Sequence, residues 1–417
     1  MEPPTLLKLS NGFRVVFVPY RNSEVVSFSL LGKGGSNYEK ADEVGVAHFL
    51  EHAVFDGTKK YPSREKLSGL IQNLGGSFGG STGRDGVKYW VRLVKKDVEQ
   101  GFGFLSELVL QPLIEEKLMG KNKGIIEQEI NRFKDSADLY VPRIASKLLF
   151  PNQRYGMLNS GDVEDIKSIT REKVLSFIKE NYIAQNFVLG ISGDLDVDLI
   201  NCLASKYFSV VPVGHTLELP SPTKSPFLDL YVENRPTLKQ AHCEVCFYGY
   251  TDNDAKKYAC AILSSALGGG VLSRLFKSIR GKGLAYVVGS HINFSQKYGI
   301  LSIYAGLSEN NLNKSLVLIK KEIDKIKEKL ITKEEYERVL SRISASYIFA
   351  AEDSLNRASY YADLVLFDKK VRSHLEEIER FKAVTREEVR EVANEIFSQN
   401  PKIVALTPSL RKEDIRF

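Results

Sequence analysis

The sequence predicts two homologous domains, each mixing β-strands with α-helices, on three observations. The chain has 417 residues, more than one ordinary core organises and enough for two domains of about 200 residues each. It also repeats itself. Ile169-Thr170-Arg171-Glu172-Lys173-Val174 returns as Val384-Thr385-Arg386-Glu387-Glu388-Val389, at an offset of 385 − 170 = 215 residues. In both copies an Asn (Asn186, Asn400) comes before an apolar strand, Phe187-Val188-Leu189 or Ile403-Val404-Ala405. Self-similarity at half the chain length marks a duplication. Third, Val211 to Pro226 gathers Pro212, Gly214, Pro220, Pro222 and Pro226, the composition of a linker. The expected division is 1–211, a linker at 212–226, and 227–417.

The elements follow in order. Phe13 to Pro19 and Val25 to Leu31 read as strands joined by a turn at Arg21-Asn22-Ser23. Gly32 to Tyr38 reads as a loop. Gly45 to Thr58 is helix-like, with Asp42 or Glu43 near its start, where the helix dipole favours acids. Ser63 is the expected N-cap of a helix from Arg64 to Leu74, which Gly75-Gly76 ends. Val87 to Leu93 is a strong strand, and the glycines of Ser77-Phe78-Gly79-Gly80-Ser81-Thr82-Gly83 before it fit a bulge or turn. Helices are expected from Asp97 to Leu110 and from Glu115 to Phe133, then a less regular helical region from Val141 to Phe150. Thr170 opens a helix that ends near Asn181, and Asp196 to Phe208 is helical.

Composition excludes several classes. With 43% hydrophobic and 26% charged residues the chain reads as soluble and globular. A net charge of +6 is too small for its length to mark nucleic-acid binding. No apolar run is long enough to cross a bilayer, and Met1-Glu2-Pro3-Pro4-Thr5 carries no secretory signal, so a cytoplasmic location is expected. Cys243 and Cys246 have C-x-x-C spacing, but Ala241 to Tyr248 reads as a strand, where residues three apart face opposite sides. With Cys202 and Cys260 they make no disulfide framework, which fits a reducing compartment.

Chemistry concentrates in Gly45-Val46-Ala47-His48-Phe49-Leu50-Glu51-His52. On a helix His48 and His52 project from one face, one turn apart, and Glu51 lies beside them. Two neutral imidazoles at this spacing can hold Zn²⁺, and a nearby carboxylate that is not a ligand can take a proton from the water the metal acidifies. His-x-x-Glu-His is the inverzincin order. Only six histidines occur in the chain, and two fall in this pentad. A third ligand is required, and Lys123 to Asn131 offers Glu127 and Glu129. Two residues apart on a helix, they point about 200° apart, so one of them faces the metal; spacing does not choose between them.

His48-Phe49-Leu50-Glu51-His52, Phe55, Gly57-Thr58 and Gly124-Ile125-Ile126-Glu127-Gln128-Glu129-Ile130 together resemble the pitrilysin family, which includes insulin-degrading enzyme and the mitochondrial processing peptidases. The resemblance implies a third ligand Glu about 76 or 77 positions after the second His. Here 129 − 52 = 77 and 127 − 52 = 75, which favours Glu129. It implies an α+β fold of two homologous domains, each an antiparallel sheet covered by helices on one face. It also implies one Zn²⁺ per chain held by His48, His52 and Glu129, with Glu51 as general base. Gly79, Gly80, Ser81 and Thr82 fall on the family's substrate-pairing edge strand, where Asn-Ala is usual. Asn122 stands where a second acid is usual, leaving Glu127 as a candidate support for the ligands.

In the second half, Leu267-Gly268-Gly269-Gly270 to Phe276, then Arg280-Gly281-Lys282-Gly283-Leu284-Ala285-Tyr286, resembles the family's C-terminal motif. It lacks the Gly-Lys-Ser/Thr ending of a phosphate loop. By resemblance Tyr286, and Arg280 one position out of register, reach into the cavity. His242, His291 and His374 are scattered and read as ordinary polar positions, so the second domain carries no metal. The implied activity is zinc-dependent hydrolysis of unfolded or processing peptides inside a closed chamber. Four such domains close the chamber, so a homodimer or a heterodimer with a related chain is expected. The alternative is a catalytically weak or partner-dependent peptide-binding subunit of a heterodimeric peptidase of the same family.

Overall fold

The computed structural model describes residues 2–225, 227 and 229–417; Pro226, the last linker proline, lies outside the described residues. The first half supplies strands β1 (Thr5–Lys8), β2 (Arg14–Pro19), β3 (Val25–Lys33), β4 (Ser77–Thr82), β5 (Gly86–Val94) and β6 (Phe187–Gly193). They form one sheet in the order β1-β2-β6-β3-β5-β4. The second half supplies β7 (Asp229–Asn234), β8 (Ala241–Gly249), β9 (Ala285–Phe294), β10 (Gly299–Leu307) and β11 (Lys402–Thr407), in the order β7-β11-β8-β10-β9. Neighbours are antiparallel except β2 with β6 and β7 with β11. The expected α+β class is what the chain forms, as two antiparallel-dominated sheets with helices; the cover is not confined to the expected one face, because residues 137–149 and 354–366 pack on the second face of the sheets.

Helices of the first half are α1 (Val46–Ala53), α2 (Arg64–Gln72), α3 (Val98–Leu110), α4 (Glu116–Asp135), α5 (Ala137–Leu149), α6 (Val163–Ser168), α7 (Arg171–Asn181) and α8 (Val197–Phe208). Those of the second half are α9 (Lys257–Gly268), α10 (Arg274–Ser278), α11 (Leu312–Glu328), α12 (Lys333–Glu352), α13 (Ser354–Leu366), α14 (His374–Lys382) and α15 (Arg386–Phe397). The repeated Thr-Arg-Glu segment is the same device twice. Thr170 caps α7 by accepting from Lys173 N, and Thr385 caps α15 by accepting from Glu388 N. Each helix then leads into an interior strand, β6 or β11. Ser63 caps α2 in the same way.

Two local expectations change. β3 runs on to Lys33, because Gly32 and Lys33 still pair with Val87 and Gly86, so the loop starts two residues later. The region expected to be irregular at Val141–Phe150 is a regular helix from Ala137 with Pro142 inside it.

Packing divides the chain into two compact units. Unit 1 comprises 1–131, 158–219 and 348–373; unit 2 comprises 132–157, 220–347 and 374–417. One boundary between the units falls at 219/220, inside the stretch expected as a linker, and each unit also holds a segment from the other half of the chain. In unit 1, α13 covers the face of the sheet formed by Val16, Val18 and Val188, using Tyr361, Ala362, Leu364 and Leu366. Its backbone comes so close that a Cβ on Gly190 would lie 2.1 Å from the Ala358 carbonyl oxygen. In unit 2, α5 covers Cys246, Tyr248, Val404 and Leu406 with Val141, Ala145 and Leu149. The cause is legible in β6 and β11, which are buried at every residue; strands apolar on both faces need a layer on each side. Cys243 and Cys246 lie on opposite faces of β8, one in the main helical core and one under α5, and all four cysteines are unpaired.

Glu244 on β8 is a buried carboxyl, and burial pushes its pKa up to about 7 against hydrogen bonds from Ser302 and Cys246. The unfolded chain ionises it near the ordinary value of 4.5. The unfolded state thus loses this proton first, so stability falls as pH rises from about 4.5 through 7 and levels off above. Glu244→Gln should remove that slope, stabilising the fold by roughly 3 kcal/mol more at pH 8 than at pH 4. Thermal unfolding of both proteins across this range checks it; parallel pH profiles would contradict it.

Candidate metal centre

α1 is built to expose one polar face. Val46, Ala47, Phe49, Leu50 and Ala53 are buried, leaving His48, Glu51 and His52 on the other side. Its start is fixed by Gly45, whose φ of +87° suits glycine and whose place admits no Cβ, since one would lie 2.5 Å from the Ser160 carbonyl oxygen. Asp42 and Glu43 lie near the start of α1, as expected, but the side chain that takes its first N–H groups is Glu39. Its two carboxylate oxygens accept from Gly45 N and Ala47 N, both at 2.9 Å, and place a buried negative charge at the positive helix end. Glu43 instead lends its carbonyl oxygen to Val46 N. No sequence-local signal marks Glu39, because it lies six residues before the glycine it caps.

Glu129 arrives on α4, whose buried stripe is Met119, Asn122, Ile126 and Ile130. Its Oε2 lies 3.5 Å from His48 Nε2 and 3.6 Å from His52 Nε2. The two imidazole rings are 4.9 Å apart and nearly perpendicular. Among the described residues, His48, His52 and Glu129 are the one group of three such side chains able to share an ion. Glu127 is outside the group; its charge acts on Lys167. Glu51 is largely buried, which raises its pKa, while the Thr82 hydroxyl, donating to Oε2 at 2.6 Å, pulls it down.

Thr82 is the last residue of β4, the edge strand of the first sheet. Asn159 Nδ2 donates to its carbonyl oxygen at 3.3 Å. Gly79 and Gly80 form neither bulge nor turn; they pair regularly with Trp90 and Tyr89. A Cβ at 79 would lie 2.8 Å from the Trp90 ring, and one at 80 would lie 3.0 Å from Phe55 Cε2 and 3.2 Å from Glu51 Cγ. Ser81 is exposed opposite Lys88. In unit 2 the Arg280 guanidinium lies 5.7 Å from the Tyr286 ring centroid, the turn between them closed by Gly283 at φ +71°. Tyr286 is 72% exposed.

The second unit contains the counterpart of this centre, stripped of ligands. Aligning Asn186 with Asn400 (400 − 186 = 214) matches Leu189 to Ile403. The strand registers then run Leu189–Leu30–Tyr89–Gly80 in one sheet and Ile403–Val245–Ile303–Ser290 in the other. A Cβ on Gly80 would lie 3.2 Å from Glu51 Cγ; Ser290 Oγ bonds Ser264 Oγ at 2.9 Å. Ser264 therefore stands for Glu51, and Ala261 and Ser265 for His48 and His52. Glu129 is the fourteenth residue of α4, and the fourteenth of the equally long α12 is Ser346. All four line one cavity of about 480 Å³.

A duplicated α+β chain with a metal-competent centre in one copy and a blank one in the other is the arrangement this fold and site define. Comparison with known proteins agrees. Residues 14–157 match the family model of the insulinases, peptidase family M16, and 168–343 match that of the peptidase M16 inactive domain. An uncharacterized zinc protease of Rickettsia bellii is 29% identical over 406 residues, 96% of this chain and 97% of its own. The mitochondrial-processing peptidase subunit beta of Saccharomyces cerevisiae is 25% identical over 420 residues, covering 96% and 90%. The crystal structure of a protease from Helicobacter pylori shares the fold with a TM-score of 0.90 at 21% identity, covering 97% of this chain and 99% of that one. The chain belongs to the M16, or pitrilysin, family as a half-size, two-domain member. No helix among the described residues is long and apolar enough to cross a membrane.

Gly45→Ala should cost more than about 2 kcal/mol, because it adds both left-handed strain and a clash with Ser160. Calorimetry should show the lowered Tm, and an unchanged Tm would contradict the packing described.

Proposed function

We propose that this chain is a zinc-dependent endopeptidase that cleaves unfolded or processing peptides inside a chamber completed by a second chain. The convergence of His48, His52 and Glu129 carries the reading. Tetrahedral zinc with bonds of about 2.0–2.2 Å separates its ligand atoms by roughly 3.3–3.6 Å, and the two histidine–glutamate distances are 3.5 and 3.6 Å. The donor set, two imidazoles and one carboxylate, leaves a fourth position open, as catalytic sites do. Bound zinc would acidify a water and polarise the scissile carbonyl.

The remaining steps belong to the chain. Glu51 takes the proton of the attacking water and delivers it to the leaving amine, held in place by the Thr82 hydroxyl. The free edge of β4 pairs with an extended peptide by backbone hydrogen bonds. Gly79, Gly80 and Ser81 leave that edge uncrowded, and Thr82 links it to the base. Tyr286 and Arg280 are hydrogen-bond donors for the carbonyl oxygen as it gains charge, a role that rests on the family resemblance. The yeast relative is by name one subunit of a peptidase, which supports assembly with a second copy or a related chain. Unpaired cysteines support a reducing, cytoplasmic setting. One observation favours the second reading, a catalytically weak or partner-dependent subunit: Gly79 and Gly80 bring no side chain to hold substrate on β4, which leaves that hold to a partner chain.

Glu51→Gln should keep one zinc per chain and lose at least about 100-fold in cleavage of a quenched peptide; retained turnover would remove Glu51 from its role. His52→Ala should lose zinc by elemental analysis, and chelator should silence the wild type until zinc is restored. Light scattering of the active species should report a dimer or a complex with a related chain, and an active monomer would overturn the chamber. Intact zinc with no cleavage by the isolated chain would favour the second reading.

A further inference from the structure

We infer that Asp56 is a positioning residue for the metal centre, acting through Asn122 on the helix that presents Glu129; the inference rests on the zinc reading above. Two of the three ligands are one turn apart on α1, so their spacing is fixed by helix geometry. The third is not. Glu129 reaches them only if α4 lies at one height and one rotation against α1.

The apolar members of the α4 stripe, Met119, Ile126 and Ile130, hold the helix in contact but do not set its register sharply, because hydrophobic contact is non-directional. Asn122 is the polar member of the same stripe, with 1% of its surface exposed. Its Nδ2 donates to Asp56 Oδ2 at 2.6 Å. Asp56 closes the short 3₁₀ turn Val54–Asp56 that continues α1, four residues beyond His52. Its other oxygen accepts from Arg64 Nη2 at 2.9 Å and Nε at 3.3 Å, which ties in the first residue of α2.

Asn122 and Glu129 are seven residues apart, and seven steps of 100° bring a helix to within about 20° of the same face. The Asn122–Asp56 and Glu129–His52 contacts are therefore two rungs of one ladder between α1 with its 3₁₀ extension and α4. The Asp56 rung is short, directional and charge-assisted.

The residue types fit this division of labour. A buried carboxylate accepts only, so it dictates which way the Asn122 amide points. That orientation leaves Asn122 Oδ1 buried with no hydrogen-bond partner, and an orphaned acceptor costs stability. What the Asn122–Asp56 contact supplies is the placement of α4. An acid at 122 would set two carboxylates 2.6 Å apart, and α4 would have to move.

The test measures zinc affinity by competition with a chromogenic chelator, the d–d spectrum of the Co²⁺-substituted protein, and the Tm of the metal-free protein. Asn122→Asp should weaken zinc about 10–100-fold and alter the Co²⁺ spectrum. The isosteric Asp56→Asn should act in the same direction and provides the test should Asn122→Asp fail to fold. The exchange Asp56→Asn with Asn122→Asp restores one amide facing one carboxylate and should recover most of the affinity. The exposed change Gln128→Ala, on the same helix, should leave affinity and spectrum alone. Single variants that lower the apo Tm but keep wild-type affinity and spectrum would reduce the pair to a structural contact and overturn the inference. A wild-type chain that binds no zinc would instead sink the zinc reading, and this inference with it.

Discussion

The approach of α4 to α1 is the constraint on which the rest depends. Everything else at the centre is local. His48, Glu51 and His52 come from a single turn of helix, and their mutual placement follows from the 3.6-residue period. Glu129 must be delivered from 77 residues away. The sheet gives α1 a buried apolar face to rest on, Glu39 and Gly45 fix where α1 begins, and Asn122 meets Asp56 where the helices touch. Glu129 then sits 3.5 and 3.6 Å from the two imidazoles, and the three side chains form a group that could hold a metal ion.

The duplication explains how one chain can hold such a centre and a blank version of it. Apart from the additional β1 of the first sheet, the same strand order recurs, with one parallel pair in each sheet, and the same capped helix enters each interior strand. At the four positions that matter, ionisable side chains in one copy are matched by Ala261, Ser264, Ser265 and Ser346 in the other. These small residues line a cavity of about 480 Å³ together with Arg342 and Tyr347. Glu51 meets the edge strand through Thr82, and Ser264 meets its own through Ser290, so each helix is linked to the edge strand of its sheet.

The reciprocal placement of α5 and α13 follows from burial. A strand such as β6, buried on both faces, cannot be satisfied by the helices of its own copy alone. Each sheet receives a thirteen-residue helix from the other copy. Gly190 shows how close the fit is, since any side chain there would strike the α13 backbone.

By itself the sequence determined what depends on neighbours along the chain. Alternating or continuous apolar residues located the strands, Ser63 and Thr170 announced the helix starts, and the His-x-x-Glu-His spacing put two imidazoles and an acid on one helical face. The internal repeat revealed the duplication. Spacing left Glu127 and Glu129 open, and the family resemblance was what favoured Glu129; the tertiary structure sets Glu129 beside the histidines and leaves Glu127 facing elsewhere. It alone decided that Glu39 caps α1, that Gly79 and Gly80 make room for Trp90 and Glu51, that Asp56 grips Asn122, and that α5 and α13 cover the sheet of the opposite copy. These are contacts between segments distant in the chain, governed by shape and by where a buried charge finds its donor, and no local periodicity encodes them.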